Sequence, residues 1–232
     1  CERVGEMPGA KFFPEAKLNY AENLLRSPDN SLAIEEFRED GFSKELTRKD
    51  LENKALKMAG WLKSKGIKKG DRVCAYMPNC SETIITMLAT SALGAIFSSC
   101  SSDFGVEGVI DRFEQIEPKI LVATNGYLYN GKLIERAEEI KAISKRLTSL
   151  EHVLVVEYLS VTKDIYSFVN FNTVFQSDPL ERYTLCDFND PLYIVFSSGT
   201  TGKPKCIVHS IGGVLIQHAK EHLLHTNLSE RQ

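Results

Sequence analysis

LYIVFSSGTTGKPKCIVHSIGG occupies residues 192–213 of the 232-residue chain. Its first five residues, Leu192 to Phe196, are apolar and predict a short buried strand. The strand runs without a break into a loop rich in glycine, hydroxyl residues and lysine, which extends from Ser197 to Lys205. A buried strand that ends in such a loop is typical of a site that holds an anion.

The residue types of this loop suit a polyphosphate. Gly199 and Gly202 lack a Cβ atom, so their backbone N–H groups can approach an anion closely. Positive charge comes from Lys203 and Lys205, and Pro204 stiffens the end of the loop. Hydroxyl groups that can donate to phosphate oxygens or reach a metal ion belong to Ser197, Ser198, Thr200 and Thr201.

The loop is not a Walker A motif, which needs four residues before its Gly-Lys pair and a Ser or Thr after the lysine. Here two residues separate Gly199 from Gly202, and Pro204 follows Lys203. A P-loop NTPase is therefore disfavoured. The other interpretation is an ordinary Gly/Thr-rich surface turn, and the density of agreeing features favours the phosphate loop over it.

Composition excludes several classes of protein. With 43% hydrophobic and 25% charged residues, the chain can bury a substantial core. A net charge of -3 gives no basic field for nucleic acid, so nucleic acid is an unexpected partner. Six scattered cysteines without a C-x-x-C pair predict reduced thiols in the cytosol rather than disulfides or a zinc site.

The uncharged run from Thr83 to Ser102 raises the question of a membrane span. Hydroxyl residues recur along it, and Gly94 separates a helical part from a β-like part. We therefore predict a buried helix followed by a buried strand, and no insertion into a membrane. Because the first residue is Cys1 rather than Met, we expect a piece of a longer chain.

Apolar periodicity predicts strands that alternate with helices. The predicted strands are Leu32–Phe37, Arg72–Met77, Ala95–Ser99, Lys119–Ala123 and His152–Val156, and the predicted helices are 47–66, 81–93, 106–116 and 133–147. This order indicates an α/β fold with mostly parallel, layered sheets and helices on both faces. Ligands of such sheets bind beyond the carboxyl ends of the strands.

The chain divides into three predicted parts. Residues 1–157 form a first α/β half, 158–190 an irregular connection, and 191–232 the start of a second half with the phosphate loop. After the loop, Ile207 and Val208 predict a returning strand, followed by a helix over 211–223.

Three histidines, His218, His222 and His225, recur along that last helix. Two histidines four residues apart can share a zinc ion. No cysteine or carboxylate partner is evident, so packed or hydrogen-bonded histidines are the favoured interpretation and no metal ligand is assigned.

The segment Ser198–Lys205, SGTTGKPK, resembles the phosphate-loop signature of the adenylate-forming superfamily. Within that superfamily, four segments resemble the acetoacetyl-CoA synthetase group more than its acetyl-CoA relatives. These segments are LNYAENLL (18–25), IFSSCSSDFGVEGVIDRF (96–113), YNGK (129–132) and KCIVHSIGGVLIQHAKEHLLH (205–225). The resemblance covers nearly the whole chain and implies the incomplete, N-terminal part of an adenylate-forming fold.

The resemblance implies an AMP-forming acid:CoA ligase with ATP, Mg²⁺ and CoA, acting on acetoacetate in the cytosol. The loop would grip the β- and γ-phosphates of ATP. The CoA nucleotide would lie near Asp103–Gly105 and Asn130–Lys132, where Lys132 is a candidate for a phosphate contact. A solvated lysine that opens a helix is an equally good interpretation of Lys132.

The later motifs of the superfamily, which bind the nucleoside and the acid and supply a catalytic lysine, do not occur in these 232 residues. The resemblance therefore implies no catalytic residue here and a chain that completes neither half-reaction alone. Two other functions stay open: a short-chain synthetase for acetate or propionate, and a non-catalytic binding or regulatory module.

Overall fold

The computed structural model describes residues 1–6, 9–160, 167–198 and 202–228. Within these ranges the strands are β1 (Lys17–Leu18), β2 (Leu32–Phe37), β3 (Ser43–Thr47), β4 (Arg72–Tyr76), β5 (Ile96–Cys100), β6 (Ile120–Thr124), β7 (Gly126–Tyr129), β8 (Lys132–Glu135), β9 (His152–Val156), β10 (Val169–Asn170), β11 (Cys186–Asp187), β12 (Pro191–Phe196) and β13 (Cys206–Ser210). The α-helices are α1 (Tyr20–Leu25), α2 (Arg48–Ser64), α3 (Ser81–Ala92), α4 (Val106–Phe113), α5 (Ala137–Arg146) and α6 (Ile211–Lys220). Two 3₁₀ turns, Glu114–Ile116 and Phe171–Gln176, and a π-helical turn, Glu221–His225, complete the regular structure of the described residues.

Seven strands form the main sheet, in the order β10-β9-β6-β4-β5-β12-β13. Every neighbouring pair is parallel except β12 and β13, which are antiparallel. The mostly parallel α/β fold predicted from the alternating pattern is therefore confirmed. Three two-stranded pairs, β1 with β11, β2 with β3 and β7 with β8, lie outside this sheet.

Helices cover both faces of the sheet because side chains alternate along each strand. On β4, Val73 and Ala75 belong to a core cluster shared with α2 and α3. Cys74 and Tyr76 point the other way and belong to a second cluster shared with α4 and α5. Two cores, one on each face, confirm the prediction of helices on both sides.

Helix α2 begins where the sequence predicts. The Thr47 hydroxyl accepts from the Asp50 backbone N–H at 3.0 Å, and the Asp50 carboxylate accepts from the Thr47 N–H at 3.2 Å. This reciprocal capping box satisfies two backbone donors that a helix terminus otherwise leaves free.

Helix α5 starts at Ala137, so the prediction of a helix from residue 133 is wrong at its beginning. Leu133 and Ile134 lie in β8, which pairs with β7 in a hairpin. The turn residues Asn130 and Gly131 have φ of 49° and 71°, the left-handed values of the two-residue turn that joins such strands. An Asn-Gly pair between apolar residues is a hairpin signal, and it prevails here over the helical periodicity.

The uncharged run from Thr83 to Ser102 forms most of α3 and all of β5, as predicted. The hydroxyls of Thr86 and Thr90 donate to the carbonyl oxygens four residues earlier, each at 2.7 Å. These hydrogen bonds let the hydroxyl residues sit in a buried helix without an unsatisfied donor.

In the part of the chain that the structure describes, no helix is both long enough and apolar enough to cross a bilayer. All six cysteines are free thiols, and the four at positions 74, 80, 100 and 186 are buried.

The strands on either side of the predicted connection belong to one sheet. Residues 167–190 contribute β10, a 3₁₀ turn and β11, while residues 161–166 lie outside the described ranges. Strands β12 and β13 extend the sheet that β4, β5, β6 and β9 begin. The division into halves at 157 and 191 stays a prediction.

Candidate functional site

Strand β12 carries the predicted phosphate loop to the carboxyl edge of the sheet. It runs parallel to β5, with Tyr193 opposite Phe97 and Ile194 opposite Ser98. The Ser98 hydroxyl also donates to the carbonyl oxygen of Ile194 at 2.7 Å. The loop after Phe196 therefore leaves the sheet at the edge where β4, β5 and β6 also end, which is where parallel sheets bind ligands.

The two ends of the loop meet at its base. The Ser197 N–H donates to the Lys205 carbonyl oxygen at 3.1 Å, next to the paired residues Phe196 and Cys206. Ser198, Gly202, Lys203 and Lys205 are exposed, and Ser197 is half-buried. Gly199, Thr200 and Thr201 lie outside the described residues, so their predicted role is carried by sequence alone.

Gly202 has a φ of 129°, which an L side chain rarely adopts. A Cβ atom built at Gly202 would meet nothing within 4 Å. A side chain would therefore fit in the space at this position, and glycine is required by the backbone conformation instead. An open backbone next to Lys203 is what a loop that receives phosphate oxygens requires.

Helix α4 and the turn after it hold the loop from one side. The Gln115 side-chain amide donates to the Pro204 carbonyl oxygen at 2.9 Å and to the Asp111 carbonyl oxygen at 2.6 Å. Its oxygen accepts from the Cys206 thiol at 3.7 Å. Gln115 could not be predicted from the sequence, because it lies 89 residues from Pro204 and no local pattern marks such a contact.

Lys203 faces two carboxylates, Asp111 in α4 and Glu114 in the 3₁₀ turn after it. Its Nζ atom lies 4.0 Å from Asp111 Oδ1 and 3.9 Å from Glu114 Oε2. The Lys203 side chain is 66% exposed, so these ion pairs are screened and weak. A bound polyphosphate would compete with the two carboxylates for this ammonium group.

A second set of polar contacts lies at the same edge, where the last residue of β4 reaches the loop that follows β5. The Tyr76 hydroxyl donates to the carbonyl oxygens of Ser102 at 3.1 Å and Phe104 at 2.7 Å. Burial raises the pKa of Tyr76 to about 12, so the phenol keeps its proton and stays a donor. The Arg136 Nε donates to the Ser102 carbonyl oxygen at 2.8 Å. Tyr76 and Arg136, which sequence analysis also missed, together fix the loop that contains Asp103–Gly105.

Helix α4 links the two loops. It begins next to Gly105, its N-cap, and the residues that contact Lys203 and Pro204 lie at its other end. The Arg112 guanidinium packs over the Phe104 ring at 4.3 Å and adds a cation–π contact at the start of the helix.

Lys132 is the exposed first residue of β8 and does not open a helix. The N–H groups of Asn130 and Gly131 donate to the Glu39 carboxylate at 3.2 and 2.8 Å. The hairpin therefore follows β6 at the carboxyl edge, with its turn already bound to an anionic side chain. Within the described ranges, Lys132 makes no ion pair, which leaves its ammonium group accessible.

The three predicted histidines separate into a pair and a single residue. The rings of His218 and His222 lie 6.0 Å apart, and His225 does not join them in a ring contact among the described residues. No group of three or more His, Cys, Asp or Glu side chains that could hold a metal ion is found in those ranges.

Comparison with known proteins gives consistent matches. The sequence model of the family described as AMP-binding enzyme matches residues 21–230. The acetoacetyl-coenzyme A synthetase of Rhizobium meliloti (strain 1021) is 45% identical over 99% of this chain, and the acetoacetyl-CoA synthetase of Macaca fascicularis is 41% identical over 97% of it. Among solved structures, the acetoacetyl-CoA synthetase from Streptomyces lividans superposes with a TM-score of 0.91 at 36% identity over 96% of the chain.

The matched proteins are much longer than this chain. The alignments cover 38% of the Rhizobium protein, 35% of the Macaca protein and 35% of the Streptomyces chain. The similarity therefore extends over almost all of the 232 residues and over little more than a third of each relative.

Proposed function

The chain belongs to the family of AMP-binding enzymes, and from that premise we propose that it forms the phosphate-binding part of an ATP-dependent acetoacetate–CoA ligase. The observation that carries this proposal is the loop SGTTGKPK at the carboxyl edge of β12, with Lys203 and Lys205 exposed. The names of the similar proteins favour acetoacetate as the acid.

The proposed reaction has two steps. The carboxylate of the acid attacks the α-phosphorus of ATP, which gives an acyl-adenylate and releases pyrophosphate. The CoA thiolate then attacks the acyl carbon and displaces AMP.

In the first step, the loop binds the β- and γ-phosphates. Negative charge grows on the pyrophosphate as the bond to the α-phosphorus breaks, and Lys203, Lys205 and the backbone N–H groups near Gly202 stabilise that charge. This is electrostatic stabilisation, with no covalent bond to the protein.

Mg²⁺ fits the donor set as a partner of the nucleotide. No group of three or more His, Cys, Asp or Glu side chains for a separate metal site occurs in the described ranges, whereas Ser197 and Ser198 carry hydroxyl oxygens in the segment that would bind the phosphates. When bound, Mg²⁺ neutralises phosphate charge. The two serine hydroxyls would hold it, together with phosphate oxygens.

The proposal assigns the CoA nucleotide to the loop after β5 and the β7–β8 hairpin. Tyr76 and Arg136 fix the first of these through the Ser102 carbonyl oxygen. Lys132 is exposed on the second and provides a cation for a phosphate group. The two loops flank one edge, so a CoA bound there would approach the acyl-adenylate from the carboxyl side of the sheet.

The test is ATP–pyrophosphate exchange by the protein as its gene encodes it, with acetoacetate, acetate, propionate or no acid. We expect exchange that depends on acetoacetate. Exchange with acetate or propionate alone would keep the adenylate chemistry and replace the substrate. A folded protein that exchanges with none of the acids would overturn the ligase.

Residues 1–232 alone should show no exchange, because a phosphate loop without nucleoside and acid sites positions no nucleophile. Exchange by these residues alone would show that the missing sites are not needed.

The alternative of a stand-alone binding module is disfavoured by the surface around the loop. Val195 and Ile207 lie opposite each other on β12 and β13 and are 42% and 44% exposed. An exposed apolar pair beside the loop is typical of a surface that packs against more protein.

A further inference from the structure

A cavity of about 580 Å³ lies away from the phosphate loop, between the end of α1, the start of α2 and the last turns of α6. None of its lining residues belongs to the segment Ser197–Lys205. Its volume is within the range of cavities that bind small molecules. The proposed ligase chemistry makes no use of it.

Four basic side chains line this cavity: Arg26, Arg48, His218 and His222. Among the described residues, the guanidinium groups of Arg26 and Arg48 form no hydrogen bond or ion pair with one another or with any other side chain. Asp29 attracts the Arg48 guanidinium through its charge, without a hydrogen bond or close ion pair among the described residues. Two guanidinium groups that face one cavity with their N–H donors unused there favour an anionic ligand.

The acidic groups nearby are already engaged. Asp29, the one carboxylate among the lining residues, accepts from the Ser31 backbone N–H at 2.9 Å and from the Ser31 hydroxyl. These hydrogen bonds hold the pKa of Asp29 below its usual range. Glu221, beside His222 in the chain, accepts from Gln217 at 2.8 Å and pairs with Lys220 at 3.0 Å.

The walls of the cavity are held in place by backbone hydrogen bonds. The Arg48 N–H donates to the Ser31 carbonyl oxygen, and the Lys49 N–H donates to the Asp29 carbonyl oxygen, each at 2.9 Å. The turn at Asp29–Ser31 is thus fixed to the start of α2. On the opposite wall, the His218 ring packs edge-on against the Tyr20 ring, with the ring centroids 6.4 Å apart.

The α6 side of the cavity contains an irregularity. His222 and Leu223 lie in the π-helical turn Glu221–His225, which follows α6 directly. π-helical turns are rare and occur frequently at functional sites, because the wider turn redirects side chains. Here the π-helical turn places the His222 ring beside the His218 ring at the same cavity, with the ring centroids 6.0 Å apart.

Apolar residues complete the lining. Leu24, Leu215 and Leu223 provide hydrophobic walls beside the four basic groups. We propose that this cavity binds a small organic anion, with a phosphate or carboxylate head at Arg26, Arg48, His218 and His222 and an apolar body against the three leucines.

The first experiment titrates the 232-residue chain with sulfate, a divalent oxyanion, and follows the imidazole NMR signals of the histidines. The signals of His218 and His222, assigned from H218Q and H222Q, should shift and saturate. In R26Q/R48Q the dissociation constant should rise about tenfold or more, because two charge-assisted contacts are lost. Both arginines are exposed, so the variant should fold, and the single variants give a second measurement if it does not.

Two control variants separate this site from general charge effects and from the phosphate loop. R182Q removes an exposed arginine that does not line the cavity, and K203A removes the loop lysine. Both should leave the dissociation constant within about twofold. Shifts that do not saturate, or that persist in R26Q/R48Q, would overturn the proposal.

A second titration compares butyl phosphate and pentanoate with inorganic phosphate and acetate. Contact of an alkyl chain with the leucines should tighten the matching head group about tenfold. If the alkyl chain tightens binding more in the phosphate pair, the head group is a phosphate; if it does so in the carboxylate pair, the head group is a carboxylate. An alkyl chain that adds no affinity in either pair would overturn the assignment of the apolar wall.

Discussion

Strands β6 and β13 belong to the same sheet and lie in opposite environments. All five residues of β6 are buried, with a strand on each side and helices on both faces. Four of the five residues of β13 are exposed, and β13 has one neighbouring strand. The interior of the sheet therefore supplies much of the packing energy of the fold, and the proposed phosphate loop is attached at an edge that buries little.

This difference separates the buried strands, which must stay fixed, from the loop after β12, which must respond to a ligand. Among its described residues, three kinds of contact hold the loop: the hydrogen bond from Ser197 to Lys205, the hydrogen bond from Gln115 to Pro204, and the weak ion pairs of Lys203. Each can break without disturbing a buried strand. Loops on rigid scaffolds are common binding elements for this reason.

The largest effect we expect comes from opening a cavity in the sheet interior. Leu121 on β6 is fully buried, so Leu121→Ala should lower the free energy of unfolding by about 3 kcal/mol. Ile207 on β13 is 44% exposed, and Ile207→Ala should cost about 0.5 kcal/mol. Urea unfolding monitored by circular dichroism measures both. Equal losses would contradict the contrast between the two strands.

The next largest effect should appear in the affinity for tripolyphosphate and not in the stability of the fold. Lys203→Ala removes a cation from the loop, and the affinity of the chain for tripolyphosphate should fall about tenfold in calorimetry. Because Lys203 is 66% exposed, the unfolding midpoint should not change. Lys220→Ala, at an exposed lysine outside the loop, is the matched control. Unchanged tripolyphosphate affinity in Lys203→Ala would remove this residue from the site.

The interior of the fold could be predicted from the sequence because its signals are local. The periodicity of β2 and β9 gave their exact bounds, and the capping residues Thr47 and Asp50 marked the start of α2. Burial imposes a strict pattern on these segments, and a strict pattern is visible in one sequence. The hairpin at Asn130–Gly131 was missed because two local signals disagreed there.

The site could be predicted only in part, because its contacts join distant segments. The loop SGTTGKPK was visible as a motif, whereas Gln115, Tyr76 and Arg136 act through backbone carbonyls of other loops. Every residue type has a backbone carbonyl oxygen that can accept a hydrogen bond, so the identity of the accepting residue does not matter. Such partners leave no trace in the local sequence, and a folded structure is needed to find them.

A smaller effect should follow from loosening the base of the loop. Gln115→Ala removes the hydrogen bond to Pro204, so the affinity for tripolyphosphate should fall about threefold, near 0.7 kcal/mol. Hydrogen exchange at the Ser197 amide should become faster, because its partner Lys205 lies next to Pro204. Gln217→Ala, which breaks one exposed hydrogen bond to Glu221, is the control and should change neither quantity. A Gln115→Ala variant with normal exchange at Ser197 would show that α4 does not hold the loop.

The smallest expected effect is an increase in the affinity for tripolyphosphate, whereas the preceding variants lower it. Glu114 and Asp111 face Lys203 at 3.9 and 4.0 Å and would compete with a bound phosphate for it. Glu114→Gln removes one competitor, so the affinity for tripolyphosphate should rise about twofold, as expected for an exposed ion pair. Glu138→Gln, at a glutamate of α5 that is 84% exposed and pairs with Lys141, is the control. A gain in both variants would reflect net charge alone, whereas a gain confined to Glu114→Gln would place the acidic end of α4 among the groups that set how tightly the open end of the sheet binds phosphate.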